Sequence, residues 1–195
     1  MTKMEAKRER NRSAILLAAR EVFRSEGYIG AGMDDIARRA GMTKQTVYRY
    51  FDSKEALFQA SLEVRRADGG NGFLDALSLE DTREALTRFA EGFLEVHMSE
   101  DHLASVRLLL SEGPTAPEMT RAYFAVGPRR TEACLAEFLG ARLGLDDTEY
   151  GVRLLLGGLL SLRMHVLVGL IPTPTPAERA AHARRIVDIF LQPKS

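Results

Sequence analysis

Cysteine is almost absent from this chain. Cys134 is the one cysteine in 195 residues, so the chain cannot close a disulfide within itself, and a disulfide-stapled secreted scaffold is excluded. The residues Met1–Arg12 also lack the apolar stretch of a signal peptide. These absences together predict a reducing, cytoplasmic location.

Long uncharged apolar runs are absent as well. The longest apolar run, residues 154–171, contains Arg163 and His165. A central arginine costs about 2.5–3.5 kcal/mol in a membrane-spanning helix even on the lenient insertion scale. The run is therefore predicted to be a helix buried in a protein interface, and no membrane partner is expected.

The chain carries no excess of either charge, with 27 basic and 27 acidic residues. The balance hides an asymmetry, because residues 1–54 hold 12 Lys/Arg against 7 Asp/Glu and residues 55–195 hold 15 against 20. The head is thus +5 and the body −5. A basic end on an acidic body suits a polyanion-binding protein, although a solvated basic face explains it equally well.

Sustained alternation of apolar and polar residues is missing, whereas the 3.6-residue helical period recurs along the chain, which predicts an all-α fold. The first helix is predicted to stop at Gly27, and a short second helix begins at Met33 and ends at Gly41. A third short helix is expected after Thr43 as its N-cap, and a fourth near Ser53. All seven prolines lie after residue 113, where they break or kink the helices of the body.

The third helix has an unusual outer face. Its apolar residues Val47 and Phe51 are four apart and are predicted to face the core. The opposite face then presents Lys44, Gln45, Tyr48 and Arg49, with Thr46 and Tyr50 on its flanks. Such polar, basic and aromatic side chains suit base edges and phosphates in a DNA major groove. Two short helices joined by a glycine turn are the helix-turn-helix arrangement.

Residues 35–57 resemble the DNA-binding signature of TetR-family repressors, and the similarity extends over about residues 10–60. It implies an N-terminal three-helix DNA-binding domain and a larger helical domain for ligand binding and dimerisation. By position, Lys44, Gln45, Tyr48 and Arg49 are expected to face bases or nearby phosphates. The residues expected to hold the DNA backbone are Thr43, Thr46, Tyr50 and Lys54. The implied partner is double-stranded DNA with a near-palindromic operator.

One position departs from that family. Its members usually carry Ser or Thr just before the second helix, where the hydroxyl caps the helix and touches phosphate, but this chain has Ala31 and Gly32. Glycine at an N-cap costs only a few tenths of a kcal/mol, so folding is expected to survive while one phosphate contact is in doubt. The stretch 107–130 is similar to the C-terminal domain of AefR-like regulators.

The predicted domains are residues 1–54, a DNA-binding domain with a basic arm, and 55–195, entered by a connecting helix at about 55–67. The glycine-rich stretch 68–72 marks a further junction. Homodimerisation is expected through helices at about 147–170 and 177–191, where Gly157, Gly158 and Ser161 permit close helix approach. A predicted capping box at residues 78–81 starts the first long helix of the body.

A pocket for a hydrophobic or amphipathic effector is predicted in the body, although most candidate residues fit a packing stripe equally well. The candidates are Phe89, Phe93, Arg107, Leu110, Met119, Tyr123, Phe124, Phe138 and Met164. Charged or titratable residues in apolar helices point to a polar ligand or a protein partner, and a buried ion pair or an interface contact explains them better than a ligand does. These residues are Arg107, Arg153, Arg163 and His165.

Catalytic motifs are missing. No nucleophile motif, phosphate loop or carboxylate pair stands out, so no enzyme activity and no cofactor is expected. His97 and His102 are not spaced for one helical face, and no metal site is predicted. The leading hypothesis is a repressor released from DNA by a ligand. An activator, and a small-molecule carrier or enzyme with a vestigial DNA-binding domain, remain as alternatives.

Overall fold

The computed structural model describes residues 2–67 and 72–192, and these ranges form helices and no strand, which confirms the all-α fold. The helices are α1 Lys3–Gly30, α2 Met33–Arg39, α3 Lys44–Tyr50, α4 Lys54–Ala67, α5 Gly72–Asp75, α6 Thr82–His97, α7 Glu100–Glu112, α8 Pro117–Val126, α9 Pro128–Leu143, α10 Thr148–Leu159, α11 Arg163–Leu167 and α12 Pro176–Phe190. Within these ranges, no helix combines the length and apolar character that a membrane crossing requires.

The chain folds into two compact units. The first comprises residues 1–68 and 104–126, and the second comprises 69–103 and 127–195. α4 packs against α1 and α8 and belongs to the first unit. The division into a DNA-binding domain, residues 1–54, and a ligand-binding and dimerisation domain, residues 55–195, stays a prediction. Residues 68–71 of the predicted glycine-rich junction lie outside the described residues.

The first unit has one apolar core shared by its helices. Its fully buried side chains include Ile15, Ala19, Ile36, Val47, Leu57 and Met119. They come from α1, α2, α3, α4 and α8. Burying one such Ile, Leu or Met contributes about 1.5–3 kcal/mol, so α2 and α3 are held by the core although each has only seven residues.

An aromatic cluster closes this core near the end of α1. The ring centroid of Phe58 lies 5.1 Å from that of Phe23 and 5.2 Å from that of Tyr28, both in edge-on arrangements that aromatic quadrupoles favour. Burial, together with the negative charges of Glu118 and Glu55, raises the pKa of Tyr28 to about 12. The Tyr28 phenol is therefore neutral at physiological pH.

The second unit has its own core, centred on α6. Phe89 and Phe93 are buried in it, and their rings pack with those of Phe73 and His97. α6 packs against α12, and α10 packs against α9 and α12. α10 and α12 are thus packed onto the apolar core of the second unit.

Two predicted helix boundaries in this unit are wrong. The Asp81 side chain, not Ser78, caps α6 by accepting from the Glu84 N–H at 2.7 Å, whereas the Ser78 hydroxyl donates to the Asp75 carbonyl. The helix predicted over about 147–170 is broken between α10 and α11, where the Arg163 N–H donates to the Leu160 carbonyl three residues back. The apolar period continues through this turn, so periodicity alone does not reveal it.

Candidate nucleic-acid interface

The turn between α2 and α3 is fixed by a glycine and a threonine. Gly41 has a φ of +67°, which glycine adopts without the strain of a side chain. The next N–H, of Met42, donates to the Ala37 carbonyl at 2.9 Å. Thr43 then caps α3, as its Oγ1 accepts from the Thr46 N–H at 3.2 Å. The predicted N-cap of α3 is confirmed, and the turn sets the direction of the helix.

The helical phase of α3 agrees with the sequence prediction. Val47 is fully buried and Phe51, which follows the helix, is 6% exposed. The four residues predicted for the outer face are all exposed to solvent: Lys44, Gln45, Tyr48 and Arg49. Their side chains therefore form one polar face that a groove of DNA can reach. Their contacts with bases remain a prediction.

The residues at and near α3 that are predicted to hold the DNA backbone make more contacts within the protein than the residues of the outer face do. The hydroxyls of Thr43 and Thr46 lie 2.9 Å apart and form a hydrogen bond with each other. Tyr50 is half-buried and packs against the core of the first unit. These side chains sit at the edge of the polar face, and their phosphate contacts also remain a prediction.

Lys44 has an acidic partner on the preceding helix. Its Nζ donates to Asp34 Oδ2 at 2.9 Å. This hydrogen bond and the charge of Asp34 raise the pKa of Lys44 above its ordinary value. Since both side chains are more than half exposed, at 53% and 68%, the pair is readily exchanged for other partners. The Asp34 carboxylate therefore competes with a phosphate for the Lys44 ammonium.

Lys54 is engaged with the protein itself. Its Nζ donates to the carbonyls of Tyr28, Ala31 and Ile29 at 2.8, 3.2 and 3.3 Å. It also lies 4.7 Å from the centroid of the Tyr28 ring, a cation–π distance. An ammonium has three donors, and three carbonyls at the end of α1 accept from them. The structure thus gives Lys54 a capping role that the sequence did not indicate, beside the predicted phosphate contact.

The start of α2 lacks the hydroxyl cap that the family usually has. Its N-cap, Gly32, makes no side-chain capping hydrogen bond. A Cβ added at Gly32 would lie 2.8 Å from Asp35 Oδ2, so a larger residue would displace the Asp35 carboxylate. That carboxylate forms an ion pair with Arg38. The glycine therefore leaves room for the aspartate in the first turn of α2.

A contact that sequence reasoning missed joins the end of α7 to the end of α1. Glu112 Oε2 accepts from the Ile29 N–H at 2.7 Å. α1 is kinked just before this point at Gly27, which has φ +76° and ψ 178°. A Cβ at Gly27 would lie 2.0 Å from Glu112 Oε1, so the contact requires glycine there. The pairing of residues 83 positions apart leaves no signal in a single sequence.

The nine predicted pocket residues do not gather in one compact unit. Phe89, Phe93, Phe138 and Met164 belong to the second unit, and the other five, Arg107, Leu110, Met119, Tyr123 and Phe124, belong to the first. Phe89 and Met119 are fully buried, whereas Leu110, Phe124 and Met164 are 53%, 44% and 54% exposed. Phe89 and Met119 are therefore core residues, and the other three lie at the surface.

A short helix presented by a glycine turn, with a buried inner edge and a basic polar outer face, defines a helix-turn-helix protein. Residues 15–61 match the bacterial regulatory proteins of the tetR family. Residues 84–193 match the C-terminal domain of AefR-like transcriptional repressors. The chain belongs to the TetR family.

Solved structures resemble the chain over nearly its whole length. A Mesorhizobium loti protein assigned to the TetR family is 26% identical with a TM-score of 0.79, and the match covers 98% of each chain. The flavonoid-responsive regulator FrrA is 28% identical with a TM-score of 0.76, covering 96% of this chain and 100% of FrrA.

Curated relatives match over a shorter length. The transcriptional activator FasR of Mycolicibacterium smegmatis is 34% identical over 65% of this chain and 56% of its own length. The regulator UidR of Escherichia coli is 31% identical over 57% of this chain and 49% of its own length. The chain thus spans about half the length of the curated relatives it matches.

Proposed function

We propose that the protein is a ligand-responsive transcriptional regulator that binds a near-palindromic operator as a homodimer. The observation that carries the proposal is the exposed face of α3, where Lys44, Gln45, Tyr48 and Arg49 stand together on a helix fixed by its core residues. Arg and Gln can each make two hydrogen bonds to a base edge, and such pairs distinguish sequences by about 1–3 kcal/mol. Family membership supports the same function.

Selection of binding sites from random DNA duplexes tests the proposal. Enrichment of a sequence with two inverted half-sites about one helical turn apart, or a multiple of it, is expected from a dimer that places one α3 in each groove. A vestigial domain in a carrier or enzyme enriches none. Repression and activation are then separated by the position of the operator relative to a promoter and by a reporter assay with and without the protein.

Arg49→Ala is expected to weaken binding to the selected operator by about 5- to 150-fold per half-site, the loss of a base contact worth about 1–3 kcal/mol. Fluorescence anisotropy at fixed salt measures it. Arg24→Ala is the matched control, because Arg24 is an exposed arginine on α1 and its removal changes the net charge equally. Equal losses in the two variants, or no loss in either, contradict a base-reading role for Arg49.

Asp34→Asn is expected to strengthen binding to any duplex by about two- to fivefold, because the Asp34 carboxylate no longer competes with phosphate for the Lys44 ammonium. The variant should also steepen the dependence of affinity on salt by up to about one counterion. Asp52→Asn is the control. Asp52 is exposed and does not pair with Lys44, so its substitution removes the same charge and leaves the Lys44–Asp34 pair in place. If Asp52→Asn strengthens DNA binding equally, the change in net charge alone explains the effect and the Lys44–Asp34 pair plays no part.

We propose that the homodimer forms through α10 and α12 with their flanking residues. Large apolar side chains stand exposed there: Tyr150, Leu154, Met164, Val168, Leu170 and Ile189 are 53–70% exposed. A Cβ added at Gly157 meets nothing within 4 Å, so this part of α10 can approach a partner helix closely. A concentration of exposed large apolar side chains is typical of a protein interface.

The proposed response to a hydrophobic or amphipathic effector needs a mechanical route to the DNA-binding helices. α7 provides one, since its first residues belong to the second unit and its last, Glu112, holds the backbone of Ile29. A ligand that binds one position of α7 better than another shifts the equilibrium between them. Binding of a hydrophobic or amphipathic effector and a cytoplasmic location are both part of the proposal.

A further inference from the structure

A cleft of about 340 Å³ opens within the second unit. It lies beside the end of α6, the segment after α11 and the first turns of α12, and its walls are mostly apolar. The lining residues are Leu94, Met98, Leu162, Ile171, Pro172, Pro174, Glu178, Arg179 and His182. None of the nine residues predicted for an effector pocket is among them.

Arg179 brings a positive charge to this cleft. One of its nitrogens, Nη1, donates to the Pro174 carbonyl at 2.7 Å, which holds the side chain in place. Among the described residues, no carboxylate forms an ion pair with it within 4.0 Å. A guanidinium has five N–H donors in a planar fork, so donors remain for an anionic group.

The other two ionisable groups of the cleft are committed to the protein. Glu178 Oε2 accepts from the Thr175 N–H at 2.7 Å and from the Thr175 hydroxyl at 2.8 Å, and these hydrogen bonds hold the pKa of Glu178 below its ordinary value. His182 Nε2 lies 3.1 and 3.2 Å from the carbonyls of Gly158 and Leu159. Because a carbonyl only accepts, His182 carries a proton on Nε2.

We propose that the cleft binds a small amphipathic anion, with its carboxylate or similar head on Arg179 and its apolar tail against Leu94, Met98 and Ile171. The volume of about 340 Å³ holds on the order of ten water-sized groups of about 30 Å³ each. A carboxylate with a short aliphatic chain has this size.

The cleft is a candidate site for the effector of the proposed regulator. One consequence rests on that proposed function: a ligand in the cleft changes the affinity for the operator. Binding itself does not depend on that function. Titration calorimetry of the full chain without DNA therefore comes first, with octanoate, 1-octanol and octylamine as probes of equal chain length. Octanoate is expected to bind at least about tenfold more tightly than either other probe, because charge-assisted hydrogen bonds to arginine are the strong ones.

Arg179→Gln is expected to remove about tenfold of the octanoate affinity and to leave octanol binding unchanged. Arg184→Gln is the matched control, since Arg184 lies on the same helix, pairs with Glu91 at 2.7 Å and does not line the cleft. Should Arg179→Gln fail to fold, Ile171→Trp fills the apolar end instead and should abolish octanoate binding. Tighter binding of octylamine, equal losses in the two arginine variants, or octanoate binding unaffected by Ile171→Trp each overturn the proposal.

DNA measurements separate this site from the regulator function. Octanoate at saturating concentration is expected to change the affinity for the selected operator in the unmodified protein and not in Arg179→Gln. No octanoate binding alongside an intact, sequence-specific operator complex rejects the cleft and keeps the regulator. Octanoate binding by a protein that selects no DNA sequence keeps the cleft and rejects the regulator.

Discussion

Leu154→Glu is expected to convert the proposed dimer into a monomer and to weaken operator binding by about 100-fold or more. Leu154 is 53% exposed on α10, one helical turn after Tyr150 and just before the open side of Gly157. In a dimer built on this face the glutamate is buried without a partner, which costs several kcal/mol at each symmetry-related copy. A monomer then holds one half-site and loses the second groove.

Sedimentation velocity gives the oligomeric state, and anisotropy with the selected operator gives the affinity. Leu17→Glu is the matched control for oligomeric state, since Leu17 is an equally exposed leucine, at 60%, on α1. Its expected result is an unchanged dimer. A dimeric Leu154→Glu variant, or monomers from both substitutions, would place the interface elsewhere.

The exposed polar face of α3 was predictable because its determinants are local. Val47 and Phe51 set the helical phase, Thr43 caps the helix through its own first turn, and Gly41 provides the positive φ of the turn. Each of these acts within four residues along the chain. The side chains opposite Val47 then have to face solvent.

The contacts that constrain this face were not predictable, since they join separate segments. The pairing of Lys44 with Asp34 spans a turn between two helices, and the Lys54 ammonium reaches carbonyls 23–26 residues earlier. A lysine beside a DNA-reading helix looks the same in sequence whether it binds phosphate or caps a helix. The effector-pocket candidates show the same limit, because an apolar stripe does not reveal whether its far side is core or cavity.

Gly27→Ala is expected to destabilise the first unit by about 2–5 kcal/mol. At φ +76° and ψ 178° the backbone lies in a region that essentially only glycine occupies, so an alanine there costs about 1–3 kcal/mol. Its Cβ also occupies the position of Glu112 Oε1, so the Glu112 carboxylate has to leave the Ile29 N–H. A hydrogen bond to a charged group is worth about 1.5–3 kcal/mol, at the lower end for a partly exposed pair such as this. Urea unfolding followed by circular dichroism measures the change.

Gly41→Ala separates these two contributions. Gly41 also has a positive φ, +67°, but a Cβ there meets nothing within 4 Å. Gly41→Ala should therefore lose only a backbone contribution, about 1–2 kcal/mol. In a Glu112→Ala background the cost of Gly27→Ala should fall to its own backbone contribution, because the carboxylate that the alanine displaces is gone. If Gly27→Ala costs the same with and without Glu112, the two positions are energetically uncoupled, and displacement of the Glu112 carboxylate from the Ile29 N–H does not account for the cost.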